Sequence, residues 1–295
     1  RLRKYRLSRA KNALKNSGLG ALILFDVNNI RYITGTKIGE WERDKLCRFA
    51  LLAGDEEPFV WDFGSAAVHH QLNCDWLDPN RCLAGMTGMR GTVPPSVGLM
   101  KSHAEEIMSY LKQAGVADMP IGLDIAETAM FFELQNAGMN IVDGQQVMLD
   151  AREIKNIDEI TLLNQAATMV DGVYHMIYEE LKPGVRENDI VALSNQMLYE
   201  MGSDDVEAIN AISGERCSPH PHNFTDRMFR PGDQAFFDIL QSYQGYRTCY
   251  YRTFNVGTAT SEQNDAYIQC REWLDKAIEL IKPGVSTDVV AKAWP

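Results

Sequence analysis

A four-residue run, Lys182-Pro183-Gly184-Val185, returns one hundred residues later as Lys282-Pro283-Gly284-Val285. Each copy follows an amphipathic helical pattern and precedes another, starting near Glu187 in the first case and near Thr287 in the second. Proline cannot continue a helix, and glycine takes up the left-handed turn that ends one, so both copies are helix–break–helix units. The shared context on both sides reads as an internal duplication. Between the copies lies a sheet-rich segment over 205–257, whereas the sequence stops soon after the second copy, at Trp294-Pro295. The expectation is therefore that half of a two-fold unit is absent from this sequence.

The helix entering the first copy carries Ile160, Leu163, Ala167, Val170, Tyr174, Ile177 and Leu181 at three- and four-residue steps, which leaves one apolar stripe. Before it, strand and helix patterns alternate. Strands are expected at 21–25, 49–53 and 59–61, a helix over 102–113, a strand at 121–125, a helix near 127–136 and a strand near 146–149. The glycine-rich stretch 84–95 lacks the spacing of a phosphate cradle and reads as a connector toward a neighbouring subunit. Seven of the first fifteen residues are Lys or Arg, which reads as the solvated face of a helix from Arg6 to Lys15 beside Leu7, Ala10 and Leu14.

Composition narrows the function class. With 295 residues, 45% hydrophobic and 23% charged, the chain is globular and long enough for two domains. A net charge of −11 argues against nucleic acid as a partner. No apolar run approaches the roughly 20 residues that cross a bilayer, and the basic start has no apolar stretch behind it, so neither a membrane span nor a secretory signal is expected. Six dispersed cysteines without a C-x-x-C pair fit reduced thiols and a cytoplasmic location.

The chemistry concentrates in the sheet-rich segment. Gln234–Leu240 and Tyr246–Phe254 are both aromatic-rich and alternating, with Gly245 between them, so they read as a β-hairpin. A turn centred on Tyr243-Gln244 sets Leu240 opposite Arg247 and Asp238 opposite Cys249, aiming an acid and a thiol at one spot. A buried aspartate is costly without a cationic or hydrogen-bonding partner, which a metal, Arg247 or Arg252 could supply. Upstream, His220 and His222 stand in the loop Cys217-Ser218-Pro219-His220-Pro221-His222-Asn223, where an imidazole can act as base, ligand or substrate clamp. His69, His70, His103 and His175 lie in helical patterns and read as structural.

Three stretches together carry a family resemblance: Asp26-Val27-Asn28-Asn29-Ile30-Arg31-Tyr32-Ile33-Thr34-Gly35, Ala151–Ile160, and Pro231-Gly232-Asp233 through Arg252-Thr253-Phe254. The chain resembles the creatinase, prolidase and aminopeptidase P superfamily along nearly its whole length. That resemblance implies a creatinase N-terminal-like α/β domain over 1–153, in which the first stretch is a strand–loop. An α+β pita-bread catalytic domain follows over 154–295, truncated here with its C-terminal part missing. The family's catalytic domain is a pseudo-duplication, in agreement with the repeat.

In metal-dependent relatives, two aspartates eleven residues apart on this hairpin bridge a pair of divalent ions. Asp238 holds the first position, and Cys249 stands at the second. Thiolate favours softer ions such as zinc, and loss of a bridging carboxylate weakens a two-metal site, so the cofactor expectation is either none or a divalent ion (Zn, Mn or Fe) on Asp238 and Cys249. Creatinase is a metal-free relative that uses a histidine from the equivalent loop, and its Gly-Tyr-x-Thr pattern is similar to Gly245-Tyr246-Arg247-Thr248. His220 and His222 both remain candidates for the catalytic base, with Tyr246, Arg247 and Arg252 as substrate contacts. The resemblance also implies a homodimer and a small-molecule or dipeptide substrate. The leading reading is a hydrolase of a small C–N substrate without a two-metal site. A metal-dependent Xaa-Pro peptidase, a lyase acting on a small zwitterion and a non-enzymatic binding homologue follow.

Overall fold

The computed structural model describes residues 1–39, 47–86 and 93–294. The chain divides into two compact units, Arg1–Thr161 and Leu162–Pro295.

The first unit is built on a six-stranded sheet of order β4-β3-β2-β1-β5-β6. Its strands are β1 (Ala21–Leu24), β2 (Phe49–Ala53), β3 (Phe59–Asp62), β4 (Cys82–Ala84), β5 (Ile121–Leu123) and β6 (Ile141–Asp143). β1 pairs antiparallel with β2 and parallel with β5, so the direction of pairing switches at the centre of the sheet. Every residue of β1 and β2 is buried, because helices cover both faces. Ile23, Phe49, Leu51 and Trp61 pack under α4 (Leu99–Gln113) and α5 (Thr128–Asn136). Leu22, Leu24, Ala50 and Leu52 pack on the opposite side, under α1 (Leu2–Ser17), α2 (Val27–Thr34) and α6 (Gln145–Glu153). Helix α3 (Gly64–Asn73) follows β3.

Three expectations are corrected here. Residues 146–149 lie in α6, and the strand is β6, a few residues earlier. The buried positions Val147, Met148 and Ala151 have helical spacing, and Asp143, just ahead of the helix, accepts the Gln145 amide at 2.9 Å. The stretch after Asp26 is a helix rather than a strand–loop, because the Asp26 carboxylate accepts the amides of Asn28 at 2.9 Å and Asn29 at 3.3 Å. The opening helix runs longer than 6–15, and its basic side is partly covered: Arg6 is buried, with its guanidinium 5.8 Å from the Tyr32 ring. Most of the glycine-rich connector, 87–92, lies outside the described residues.

In the second unit, α7 (Ile157–Glu180) and α8 (Glu187–Glu200) cover one face of an antiparallel sheet of order β7-β8-β9. The strands are β7 (Asp205–Ser213), β8 (Gln234–Tyr243) and β9 (Tyr246–Asn255). Alternation sends Ile209, Ala211, Ala235, Phe237 and Ile239 into the core with Val170, Val173 and Ile177 of α7. The Tyr174 hydroxyl, under the sheet, reaches the Phe237 carbonyl at 2.9 Å, and Gln241 donates to the Ala166 carbonyl at 3.0 Å. Helices α9 (Ser261–Glu279) and α10 (Thr287–Ala291) flank the second Lys-Pro-Gly-Val run.

The hairpin register differs from the expected one by two residues. Gln244 (φ 51°) and Gly245 (φ 83°) form a two-residue turn, with φ positive at both positions as the type I′ turn requires. Asp204 holds this turn by accepting the Gly245 amide at 2.7 Å. Pairing therefore sets Asp238 opposite Tyr251, Leu240 opposite Cys249 and Ser242 opposite Arg247. A one-residue slip would have exchanged the faces; a slip of two keeps every side chain on its side.

Candidate active site on the open face of the second sheet

The face of β7–β9 turned away from α7 carries Asp238. Its residue is 2% exposed, and both carboxylate oxygens have neutral donors. Asn210, its direct partner on β7, donates through Nδ2 to Oδ2 at 3.2 Å. The Cys249 thiol donates to Oδ1 at 3.3 Å, a diagonal contact that the shifted register brings about. Burial and the Asp238 carboxylate push the Cys249 thiol up to about 11, so at neutral pH it is a protonated donor. Tyr251 faces the same carboxylate, and burial together with that negative charge raises its phenol as well. Among the described residues no ion pair is made to Asp238.

The His-Pro-His loop lies over this patch. The His220 ring meets Phe236 edge-on, with centroids 5.0 Å apart and planes at 90°, and lies 6.4 Å from the Tyr251 ring. Phe236 and Tyr251 are themselves 6.0 Å apart. His222 packs against His220 at 4.7 Å. Phe236 and Asp238 are two residues apart on one strand, so His220 stands over the same face as the carboxylate.

The structure thus gathers Asp238, Cys249 and His220, with His222 beside it, and separates the other candidates from them. Arg252 belongs to the covered face. It is paired in register with Phe237, its guanidinium stacks 4.7 Å from the Tyr250 ring and 5.6 Å from Tyr174, and it lies 3.7 Å from Asp171 of α7. Tyr246 closes the hairpin turn opposite Tyr243, at the far end of β9 from His220. Arg247 shares the open face but stands near the turn, tied to Glu207 of β7. The alternation of the strand decides these placements: an arginine at an even position of β9 points toward the helices. Asn210 and Tyr251 were not singled out from the sequence. A polar residue inside the apolar run Ile209-Asn210-Ala211-Ile212 was the available sign for the first.

These donors do not make a two-metal site on their own. Among the described residues there is no cluster of three or more His, Cys, Asp or Glu side chains placed to hold an ion. The thiol at the second position serves as a hydrogen-bond donor to the very carboxylate that would bridge the metals. Among the described residues the cysteines form no disulfide. No helix is long and apolar enough to cross a membrane among the described residues.

Comparison with known families agrees with this architecture. Residues 6–154 match the creatinase/prolidase N-terminal domain, and residues 161–295 match metallopeptidase family M24. The chain belongs to the creatinase/prolidase superfamily. It is similar to the probable dipeptidase PepE of Mycobacterium tuberculosis, 26% identical over 98% of this chain and 73% of that protein. It is also similar to the ectoine hydrolase of Halomonas elongata, 24% identical over 98% of this chain and 74% of the relative. The solved prolidase of Thermococcus sibiricus shares the fold, with a TM-score of 0.78 and 21% identity over 99% of this chain and 76% of that one. As a member of this superfamily, with dipeptidases and an ectoine hydrolase among its relatives, the chain is a hydrolase.

Proposed function

We propose that this superfamily member hydrolyses a C–N bond in a small substrate bearing a cationic group, on the open face of β7–β9 and without a two-metal centre. The observation that carries this reading is that, among the described residues, Asp238 is paired with neutral donors alone. A buried carboxylate without a cation is electrostatically incomplete, and a cationic substrate group would complete it. The rings of Phe236 and Tyr251 beside it would add cation–π attraction, worth about 0.5–2 kcal/mol. His220 supplies the base: its imidazole takes a proton from water as the oxygen attacks the carbon, and returns one to the departing nitrogen. His222 steadies the His220 ring. The ectoine hydrolase relative supports a small nitrogen-bearing substrate, and the PepE and prolidase relatives support a dipeptide as the second reading. By the same family likeness the working enzyme is a homodimer.

Metal content and turnover test this together. The enzyme, purified without added metal, is dialysed, assayed for zinc, manganese and iron, and offered amidine, urea, betaine-like and Xaa-Pro substrates. Turnover of a small cationic compound without retained metal, reduced about 10²–10⁴-fold in His220→Ala, is the expected result. Close to two ions per subunit with cleavage of Xaa-Pro peptides would replace this reading with the metallopeptidase one.

A further inference from the structure

The His-Pro-His loop is anchored by a carboxylate that touches neither histidine. Glu187, the first residue of α8, is fully buried, and each of its oxygens is engaged. Oε1 accepts the Ser213 hydroxyl at 2.7 Å. Oε2 accepts the Thr225 amide at 2.9 Å, the Thr225 hydroxyl at 2.8 Å and the Arg216 guanidinium. Ser213 ends β7, Arg216 follows it, and Thr225 lies on the far side of the loop. One side chain therefore ties both ends of the segment 217–224 to the start of a helix.

Two further links extend the clamp. Arg216 reaches across the loop mouth to Asn223 Oδ1 at 2.7 Å. Ser213 also accepts from Arg227, which is paired with Asp233 at 2.6 Å and Glu215 at 2.7 Å. Gly214 sits against that pair with φ 60°, a backbone conformation that favours glycine, and a Cβ there would force the Arg227 guanidinium to shift. Backbone pairing fixes the same region: the amides of Glu187 and Asn188, free at a helix start, donate to the carbonyls of Arg227 and Thr225 at 3.0 and 3.1 Å.

We infer that Glu187 is a positioning residue for the catalytic loop, setting the place of His220 over Phe236 through Arg216 and Thr225. The loop can transmit this constraint because Pro219 and Pro221 flank His220 and each fixes its own φ. With both ends pinned and the middle stiffened, little freedom remains in where the imidazole sits. A negative charge in the first turn of α8 is also favoured by the helix dipole, which suits Glu187 as the fixed point.

The inference rests on His220 as the working base, so its test reads position and turnover separately. Histidine-labelled enzyme is followed by NMR in Glu187→Gln, with Ile209→Val as a core variant in the same unit. Loss of the His220–Phe236 ring cross-peak in Glu187→Gln but not in Ile209→Val is expected, together with a fall in kcat of about 10²-fold at nearly constant KM. Asn223→Ala, which cuts the loop end of the Arg216 link and leaves the buried carboxylate intact, should weaken the same cross-peak even where Glu187→Gln folds poorly. A cross-peak that survives both substitutions, or that is lost equally in Ile209→Val, overturns the positioning role. Full turnover in His220→Ala would instead overturn the catalytic reading and leave the cross-peak result standing.

Discussion

Asp62 in the first unit and Asp238 in the second are buried to nearly the same depth, 0% and 2% exposed, yet their surroundings are opposite. Asp62 Oδ2 receives Arg48 at 2.9 Å and His70 at 2.8 Å, and Arg48 in turn donates to Thr36. Asp238 receives an amide and a thiol. The first carboxylate is neutralised inside the protein and serves the fold. The second is held in place by weak dipoles and left short of positive charge, the condition expected where a ligand supplies the cation. Burial alone does not distinguish a structural acid from a functional one; the charge of its partners does.

The largest effect that separates the two is on stability. Asp62→Ala removes the buried carboxylate that Arg48 and His70 share, and should destabilise the first unit by about 3–5 kcal/mol. Asp238→Asn keeps the shape and removes an uncompensated charge. Its stability should move by less than about 1 kcal/mol, toward stabilisation, while turnover is lost. Urea unfolding of both variants decides. Equal losses would mean that Asp238 has a cation in solution and that the contrast is false.

That contrast was only partly open to inspection in the sequence. The strand–turn–strand at 49–61, the long stripe of α7 and the breaks at both Lys-Pro-Gly-Val runs follow from local periodicity and local chemistry, which a sequence carries directly. Residues 146–149 were harder, because a short apolar run looks alike in a strand and in a buried helix. The hairpin was visible but its register was not: Tyr243-Gln244 and Gln244-Gly245 are both plausible turns until the positive φ values are seen. Asp238 and Cys249 survived that error because side chains alternate with period two, and the pair was displaced by two. Without that parity argument Arg252 looks equally close to them, although it stacks on the other face. Asn210 and the Glu187 clamp depend on residues far apart in sequence, and no local pattern joins them.

A second effect, of intermediate size, reports on the charge at Asp238 itself. A thiol raised from 9.0 to about 11 has about 100-fold less thiolate at neutral pH, so Cys249 should react with iodoacetamide about 100-fold more slowly than an ordinary exposed thiol. The sign for stability follows: protonation is favoured in the folded state, so the contribution is complete below pH 9 and is lost as pH rises toward about 11. Asp238→Asn removes part of the cause, and the alkylation midpoint should move down toward 9. A wild-type midpoint already near 9 would show that a cation sits on Asp238 and quenches its influence.

The smallest effect belongs to an acid that is neither buried nor short of a partner. Glu215 is held at about 2 by the hydrogen bond from Arg227 and by that cation's charge. Asp233, on the same guanidinium, is pushed up by burial but brought down further by Arg227 and the Arg230 amide, and ends below its usual value. Both carboxylates are lowered, so their contribution is present above the ordinary carboxylate range and disappears as pH falls from about 4.5 to about 2. Glu215 lies 69% exposed on its side chain, where solvent and salt screen the pair, so Glu215→Gln should shift the melting temperature far less than Glu187→Gln does at pH 7. The difference between Glu215→Gln and wild type should shrink with added salt and vanish only below pH 2. If instead Glu215→Gln matches Glu187→Gln at neutral pH, the partner's charge and not its burial governs the loop, and the distinction drawn between Asp62 and Asp238 would have to extend to the surface.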